Sequence, residues 1–565
     1  MQPRAVLLRN KAVSLPCKAF RSNEVQPRAV LLLLALAGTM HAPALLGFFV
    51  YDDQLLIAQN APLQRGDLWA LITEPLFGLQ QSYWRPLTAL FLWLGNAFGG
   101  ALGIHLIAWL AHLVCTWQVF RIGSTLLLDQ RAALGAALLF SLHPVQVEGV
   151  AWCAALGDAL WLAFGCSCLL AALRSRTKSA ALFFGLALLA KENAIVVLPL
   201  ALAVRWQAGL PLRTLLGALL AVAGGFYMLR MAVFGELTAG LCRAQIDPTV
   251  ASQWPFAPLE MFGRELQLLL WPWPMSPFRV LGYGGGSTMV HHAFPALWAL
   301  AWLVAFAASI PCKRRFLMCA LLMIGVQPLL AALHCDRLGA YPIADRYLGS
   351  SVLGLALLLA HLVPARARSA TFALLTLICG TATWLQTPVW RNQQQLIEHG
   401  IKAAPREPML RVMAGNFALE QRDFVRARTR YDEALALADL AVPGCEHRAI
   451  ISAQVGIGWC ELRGEPPQLA AAILTFERVL NTDPMDATAW IGLGVAHGMS
   501  THPADAERAL RRATELAPQN SQAHYNLAYL LTQQGRRELA RQSAEAALLC
   551  SPGNESARQL LQQLK

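Results

Sequence analysis

About eleven apolar stretches long enough to cross a hydrocarbon core of about 30 Å run through the first 390 residues of this chain. They lie near 30–50, 102–120, 132–150, 156–173, 179–191, 193–204, 214–234, 294–310, 316–333, 347–363 and 369–386. A backbone immersed in lipid has no water to bond, so stretches of this kind fold as helices that satisfy their own amides and carbonyls. The expected fold is all-α and polytopic. The pair flanking Lys191 is short enough to be one broken helix, and Pro86–Phe98 is a possible twelfth crossing. Composition agrees: 56% of the 565 residues are hydrophobic, 14% are charged and the mean hydropathy is +0.44, whereas a soluble domain carries about 25% charge.

The net charge of +12 would suggest nucleic acid in a soluble chain, so its location matters. Residues 1–390 hold 27 Lys+Arg against 15 Asp+Glu, and residues 391–565 hold 19 of each. The excess lies in the apolar part. Six segments concentrate it: the N-terminal tail (Arg4 to Arg28), Arg121 with Arg131, Arg174/Arg176/Lys178, Arg205 with Arg213, Lys313/Arg314/Arg315, and Arg366 with Arg368. Against 18 cations these segments hold only Glu24 and Asp129, and they fall in every second loop. The positive-inside rule assigns them to the cytoplasm. The N-terminus is then inside and the C-terminus outside, with Pro86–Phe98 an interfacial or re-entrant helix. The tail, which repeats QPRAVLL at residues 2–8 and 26–32, reads as a cytoplasmic extension before a signal anchor, because no small-residue cleavage site ends the run from Ala29. The 13 cysteines form no CxxC pair or Cys/His cluster, which points to isolated core residues.

After Trp390 the composition turns charged and helical, and a 34-residue period appears through Pro484, Pro518 and Pro552. Trp490, Leu493, Gly494, Ala506, Leu510, Ala513 and Pro518 make a nearly complete tetratricopeptide pattern. The next unit carries Leu527, Ala528, Ala540, Ala544, Ala547 and Pro552. Two looser units precede them, one with Gly415, Ala427, Tyr431 and Ala434, the other with Gly458, Ala472, Phe476 and Val479. The domains expected are a tail over 1–29, a membrane domain over 30–390 with outer loops 51–101 and 235–293, a linker over 391–405, and a four-repeat solenoid over 406–565. Its concave face suits an extended peptide or partner; a helical cap that only stabilises the membrane domain is the plainer role.

Ionisable groups at bilayer depth are costly, so those in the apolar part are informative. Asp52 and Asp53 in FVYDD, Arg85 in YWRPL, His143, Glu148 and Asp158 in HPVQVEGVAWCAALGD, Lys191 and Glu192 in LAKEN, and Asp345 and Arg346 in ADRYL all fall at outer ends of spans or in outer loops. One outer-facing polar cavity accommodates them. Helix capping by the Asp pair, and snorkelling or mutual pairing of the cations with Glu192 and Asp345, are the structural alternatives.

The order FVYDD, YWRPL, HPxxxE, AKE, WPxxxSP and DRYL, followed by tetratricopeptide repeats, resembles the transmembrane and tetratricopeptide-repeat-containing O-mannosyltransferases of the GT-C superfamily, in a form matching bacterial members. The resemblance implies a lipid-embedded fold, a polyprenyl-phosphate-linked sugar as donor substrate, and transfer to Ser or Thr of a protein on the periplasmic or luminal side. It implies a catalytic carboxylate from Asp52 and Asp53, with Asp52 preferred. Arg346, Lys191 and Arg85, in that order, are the donor-phosphate candidates, with His143, Glu148, Asp158, Glu192 and Asp345 in support. Gln146 and Leu156 depart from the family pattern HPxHxEAVxxxxGRAD, which weakens a phosphate role for that segment. Membrane lipid, the sugar donor and a protein acceptor are the implied partners, and nucleic acid is not. The acidic pair could bind a divalent cation or act without one. A non-enzymatic envelope scaffold, or an enzyme of the same fold acting on lipid or polysaccharide, remains open. The implied location is a bacterial inner membrane, or the endoplasmic reticulum in a eukaryote. Gly284-Gly285-Gly286 is read as a flexible loop.

Overall fold

In a computed structural model, residues 27–76, 83–235, 257–273, 275–276, 278–279, 289–310, 314–333, 343–438 and 446–564 are described. Residues 1–26 of the basic tail, most of the 235–293 loop and the triple-glycine run lie outside the described residues. The architecture is all-α. Among the described residues the sole β feature is an isolated bridge between Arg279 and Ile343.

The membrane part comprises α1 (Pro27–His41), α2 (Pro86–Gly99), α3 (Ala101–Leu126), α4 (Gln130–Leu142), α5 (Val147–Ala151), α6 (Leu156–Leu173), α7 (Thr177–Ala190), α8 (Val197–Gln207), α9 (Arg213–Phe234), α10 (Ala257–Leu270), α11 (Met289–Ser309), α12 (Arg315–Ala332), α13 (Gly349–Leu362) and α14 (Ala365–Gln386). Among the described residues, six helical segments are long and apolar enough to cross a membrane alone, and the bent pair α4–α5 makes a seventh. Several of the eleven apolar stretches therefore fold as shorter helices, including α7, because breaks divide or truncate the runs.

Helix α6 forms the centre. It is apolar all round, and every residue except Phe164 and Ser167 is buried, as expected of a helix enclosed by others. By contrast only 22% of the apolar stretch of α9 is buried, so α9 lies at the periphery.

Two breaks shape the polar end of the bundle. Pro144 cannot continue α4, and α5 leaves at 53°. The carbonyls freed there are capped from distant helices: His41 and His112 both reach the Ser141 oxygen, at 2.9 and 3.0 Å, and Thr383 donates to that of Leu142 at 2.8 Å. The second break is at Lys191, whose backbone is extended at the end of α7. Thr88 on α2 donates to the Ala190 carbonyl there, at 2.7 Å. Helix α2 folds back on α3 through Gly100, which has positive φ; a Cβ at Gly103 would meet the Gly95 carbonyl at 2.1 Å, so this approach requires glycine.

Beyond Trp390, α15 (Gln393–Ala403) leads into paired helices: α16 (Pro408–Glu420) with α17 (Phe424–Ala438), α18 (Glu446–Arg463) with α19 (Leu469–Thr482), α20 (Ala487–Met499) with α21 (Pro503–Leu516), and α22 (Ser521–Gln533) with α23 (Arg537–Cys550); α24 (Glu555–Gln563) follows. The small residues of the repeat face large ones. Gly415 and Gly456 lie against the ring of Tyr431, Gly458 and Gly492 against that of Phe476, and Gly494 against Leu510. Each periodic proline is followed two residues later by a cap: Asp486, Asn520 and Asn554 accept from the first-turn amides of α20, α22 and α24.

Candidate active site

The segment after α1 turns sharply at Tyr51 and presents two unlike carboxylates. Asp53 is fully buried. Its Oδ2 accepts from the Val50 amide at 3.0 Å and its Oδ1 from the Ala154 amide at 2.7 Å, which fastens the acidic loop to the chain entering α6. Burial pushes its carboxyl up to about 8, against the pull of those two amides. Asp52 is partly exposed, and its carboxylate has no hydrogen-bond partner among the described residues. Burial raises its pKa while the nearby Arg346 guanidinium lowers it.

Four ion pairs converge on the same end of the bundle. Arg346 donates from Nη1 to Glu148 Oε1, and its amide donates to Glu148 Oε2 at 3.2 Å. Its guanidinium lies 5.0 Å from the Trp152 ring centroid and 4.9 Å from that of Tyr347. Lys191 reaches both oxygens of Asp158, at 2.7 and 2.6 Å, and Trp161 donates to the same carboxylate at 3.2 Å. Arg85 grips Glu192 bidentately at 2.9 and 2.5 Å, and Arg279 grips Asp345 at 2.6 and 3.3 Å. Buried charges are tolerable when paired in this way, since an unmatched one carries the full desolvation cost. A cavity of about 20 Å³ is lined by Gln146, Asp158, Trp161 and Arg346 among others, and so by one member of each of the first two pairs; it has room for about one water.

All the residues singled out in the sequence are accounted for. The cations do pair: Arg85 takes Glu192, one of the two acids expected, whereas Lys191 takes Asp158, Arg346 takes Glu148, and Asp345 takes Arg279, a residue that sequence reasoning passed over although it follows the WPxxxSP motif. Arg346 is the most exposed of the three phosphate candidates, with 19% of its side chain accessible against 15% for Arg85 and 6% for Lys191. His143 is buried and donates to the Leu269 carbonyl at 3.0 Å, closing a helix end. Leu156, at the position of the missing arginine, is wholly buried in the apolar core. Among the described residues no three His, Cys, Asp or Glu side chains converge as metal ligands. Trp152, Tyr347 and Trp390 carried no distinguishing signal in sequence; Trp152 stacks on Trp390 at 5.5 Å and walls the Arg346 side of the site.

Fold and site together define a class: an integral membrane protein of apolar helices, bearing an acidic loop, a group of buried ion pairs and a tetratricopeptide-repeat arm. The tetratricopeptide repeat family matches residues 500–555. Protein O-mannosyl-transferase Tmtc1 of Drosophila melanogaster is 37% identical over 128 residues, which is 21% of this chain and 15% of that protein. A protein O-mannosyl-transferase of Caenorhabditis elegans is 26% identical over 222 residues, 37% of this chain and 32% of that protein. The chain thus spans at most about a third of the length of these relatives. A thermophilic tetratricopeptide-repeat protein of Thermus thermophilus is 15% identical at a TM-score of 0.27, covering 35% of this chain and 94% of that one.

Proposed function

We propose that this chain is a GT-C-type glycosyltransferase that passes a sugar from a polyprenyl phosphate to a hydroxyl, on Ser or Thr of a protein, at the periplasmic or luminal face of its membrane. The observation that carries the reading is the open carboxylate of Asp52 beside Arg346, next to an Asp53 fully occupied in holding the loop. The similarity to named O-mannosyl-transferases supports it over part of the chain. An acceptor hydroxyl is a weak nucleophile. As its oxygen bonds to the anomeric carbon, Asp52 takes its proton, a contribution of about 10² to 10⁴ in rate. The bond from that carbon to the lipid phosphate breaks, its electron pair leaves with the phosphate, and Arg346 offsets the charge that develops. Tetratricopeptide repeats bind peptides on a concave face, and here the arm would deliver the acceptor.

The test uses purified full-length protein in lipid with a panel of polyprenyl-phosphate sugars, mannose first, and a serine/threonine-rich peptide. Asp52→Asn should lose about 10² to 10⁴ of transfer rate with unchanged melting. Asp53→Asn should lower the melting temperature, because one of its two amides loses its acceptor. Transfer by Asp52→Asn equal to that of the parent would exclude Asp52 as base. No turnover of any donor, combined with co-purification of envelope proteins through the arm, would favour the scaffold reading.

A further inference from the structure

Tyr51, the residue before the acidic pair, has φ of 52°. For a bulky aromatic residue this left-handed conformation is costly, and it persists only where the surroundings over-determine it. The root of the repeat arm supplies that constraint. The Tyr51 amide donates to Oε1 of Gln393, at the start of α15, at 2.7 Å. Three residues earlier, the Phe48 amide donates to the Arg391 carbonyl at 2.9 Å. The Tyr51 ring is closed in by Trp152 at 5.9 Å and, edge-on, by Phe278 at 5.6 Å. Phe278 in turn lies against Gly400 of α15, where a Cβ would come within 2.9 Å of its ring. Val50, Trp152, Phe278, Trp390, Leu396 and Leu410 share one apolar cluster, so loop and arm are packed as a unit.

We propose that α15 belongs to the catalytic apparatus, with Gln393 a positioning residue that holds Tyr51 left-handed and thereby aims the Asp52 carboxylate. The proposal rests on the reading of Asp52 as the base. Without the Gln393 acceptor the Tyr51 backbone is free to relax, and any relaxation redirects the chain at residue 52. The charged groups facing this loop are Asp53 on its own segment, Arg346 from the turn before α13, and Arg448 of α18, which is near enough to act on the Tyr51 hydroxyl. Movement of Asp52 therefore changes its separation from Arg346.

The experiment uses the full chain in lipid, with polyprenyl-phosphate mannose and a serine/threonine-rich peptide as probes. Gln393→Ala should lower kcat roughly 10- to 100-fold, the scale of a small misplacement of a reacting group. Donor KM should stay within about twofold, and the midpoint of the pH–rate profile should shift as the separation of Asp52 from Arg346 changes. In a Tyr51→Gly background the same change should have little further effect, because glycine adopts positive φ freely. Independently of turnover, hydrogen exchange without substrate should quicken in Gln393→Ala across residues 48–56. Unchanged kcat, pH midpoint and exchange in Gln393→Ala, with Asp52→Asn inactive, would overturn the positioning role. If Asp52→Asn is fully active the base assignment fails instead, and the exchange comparison alone then decides whether Gln393 holds the loop.

Discussion

A carboxylate accepts a proton from a hydroxyl only when ionised, so the two forces on Asp52 set the pH range of the proposed reaction. Burial raises its pKa above the ordinary 3.8 and Arg346 opposes the rise. The rate should therefore climb with pH through a midpoint above that of a free aspartate. Removing the opposing cation with Arg346→Gln should move that midpoint higher, whereas Arg346→Lys should leave it closer to the parent value. A kcat/KM profile against pH checks the sign, and a downward shift in Arg346→Gln would contradict the assignment. At this scale the sequence was informative about residue types and poor about partners. Asp52 and Asp53 stood out as a pair, yet nothing in FVYDD distinguishes the carboxylate that two amides occupy from the one left open. That difference arises from Ala154, 101 residues away.

Helix packing in the repeat arm was legible because it is local. The repeat pattern, which sets Gly458 and Phe476 in one unit, encodes the contact that the structure shows between them, and the same ring also closes on Gly492, where a Cβ would lie 2.3 Å from it. Gly492→Ala should accordingly cost about 1–3 kcal/mol through overpacking. Gly553→Ala, with nothing within 4 Å of its Cβ, should stay within about 0.5 kcal/mol. Denaturant unfolding of the two variants, followed by hydrogen exchange in α18 to α20, distinguishes them. Equal stability would mean that Phe476 yields without cost. The membrane helices were less legible at their ends. The run 132–150 was read as one span, but it breaks at His143-Pro144, and that break is sustained by His41, His112 and Thr383 from three other helices. Hydropathy registers none of those caps.

For the whole molecule, the distribution of charge makes a topological prediction. Reading every second, basic loop as cytoplasmic and the eleven apolar stretches as crossings, we expect a reporter fused after Lys565 to report the outer compartment, as should one placed in the 51–101 loop. One fused in the Arg174–Lys178 turn should report the cytoplasm. A cytoplasmic signal after Lys565 would reverse the side on which the proposed chemistry occurs.

The apolar runs, the alternation of basic loops and the 34-residue repeat were fixed by sequence alone, because each depends on hydropathy or on spacing within one or two helical hairpins. The pairing of Arg346 with Glu148, Arg85 with Glu192 and Arg279 with Asp345 joins residues 198, 107 and 66 positions apart. The contact of Tyr51 with Gln393 spans 342. These were decided only by the tertiary structure: a buried charge or a strained backbone takes whichever partner the packing of distant helices brings within hydrogen-bond reach, and local sequence carries no record of that distance.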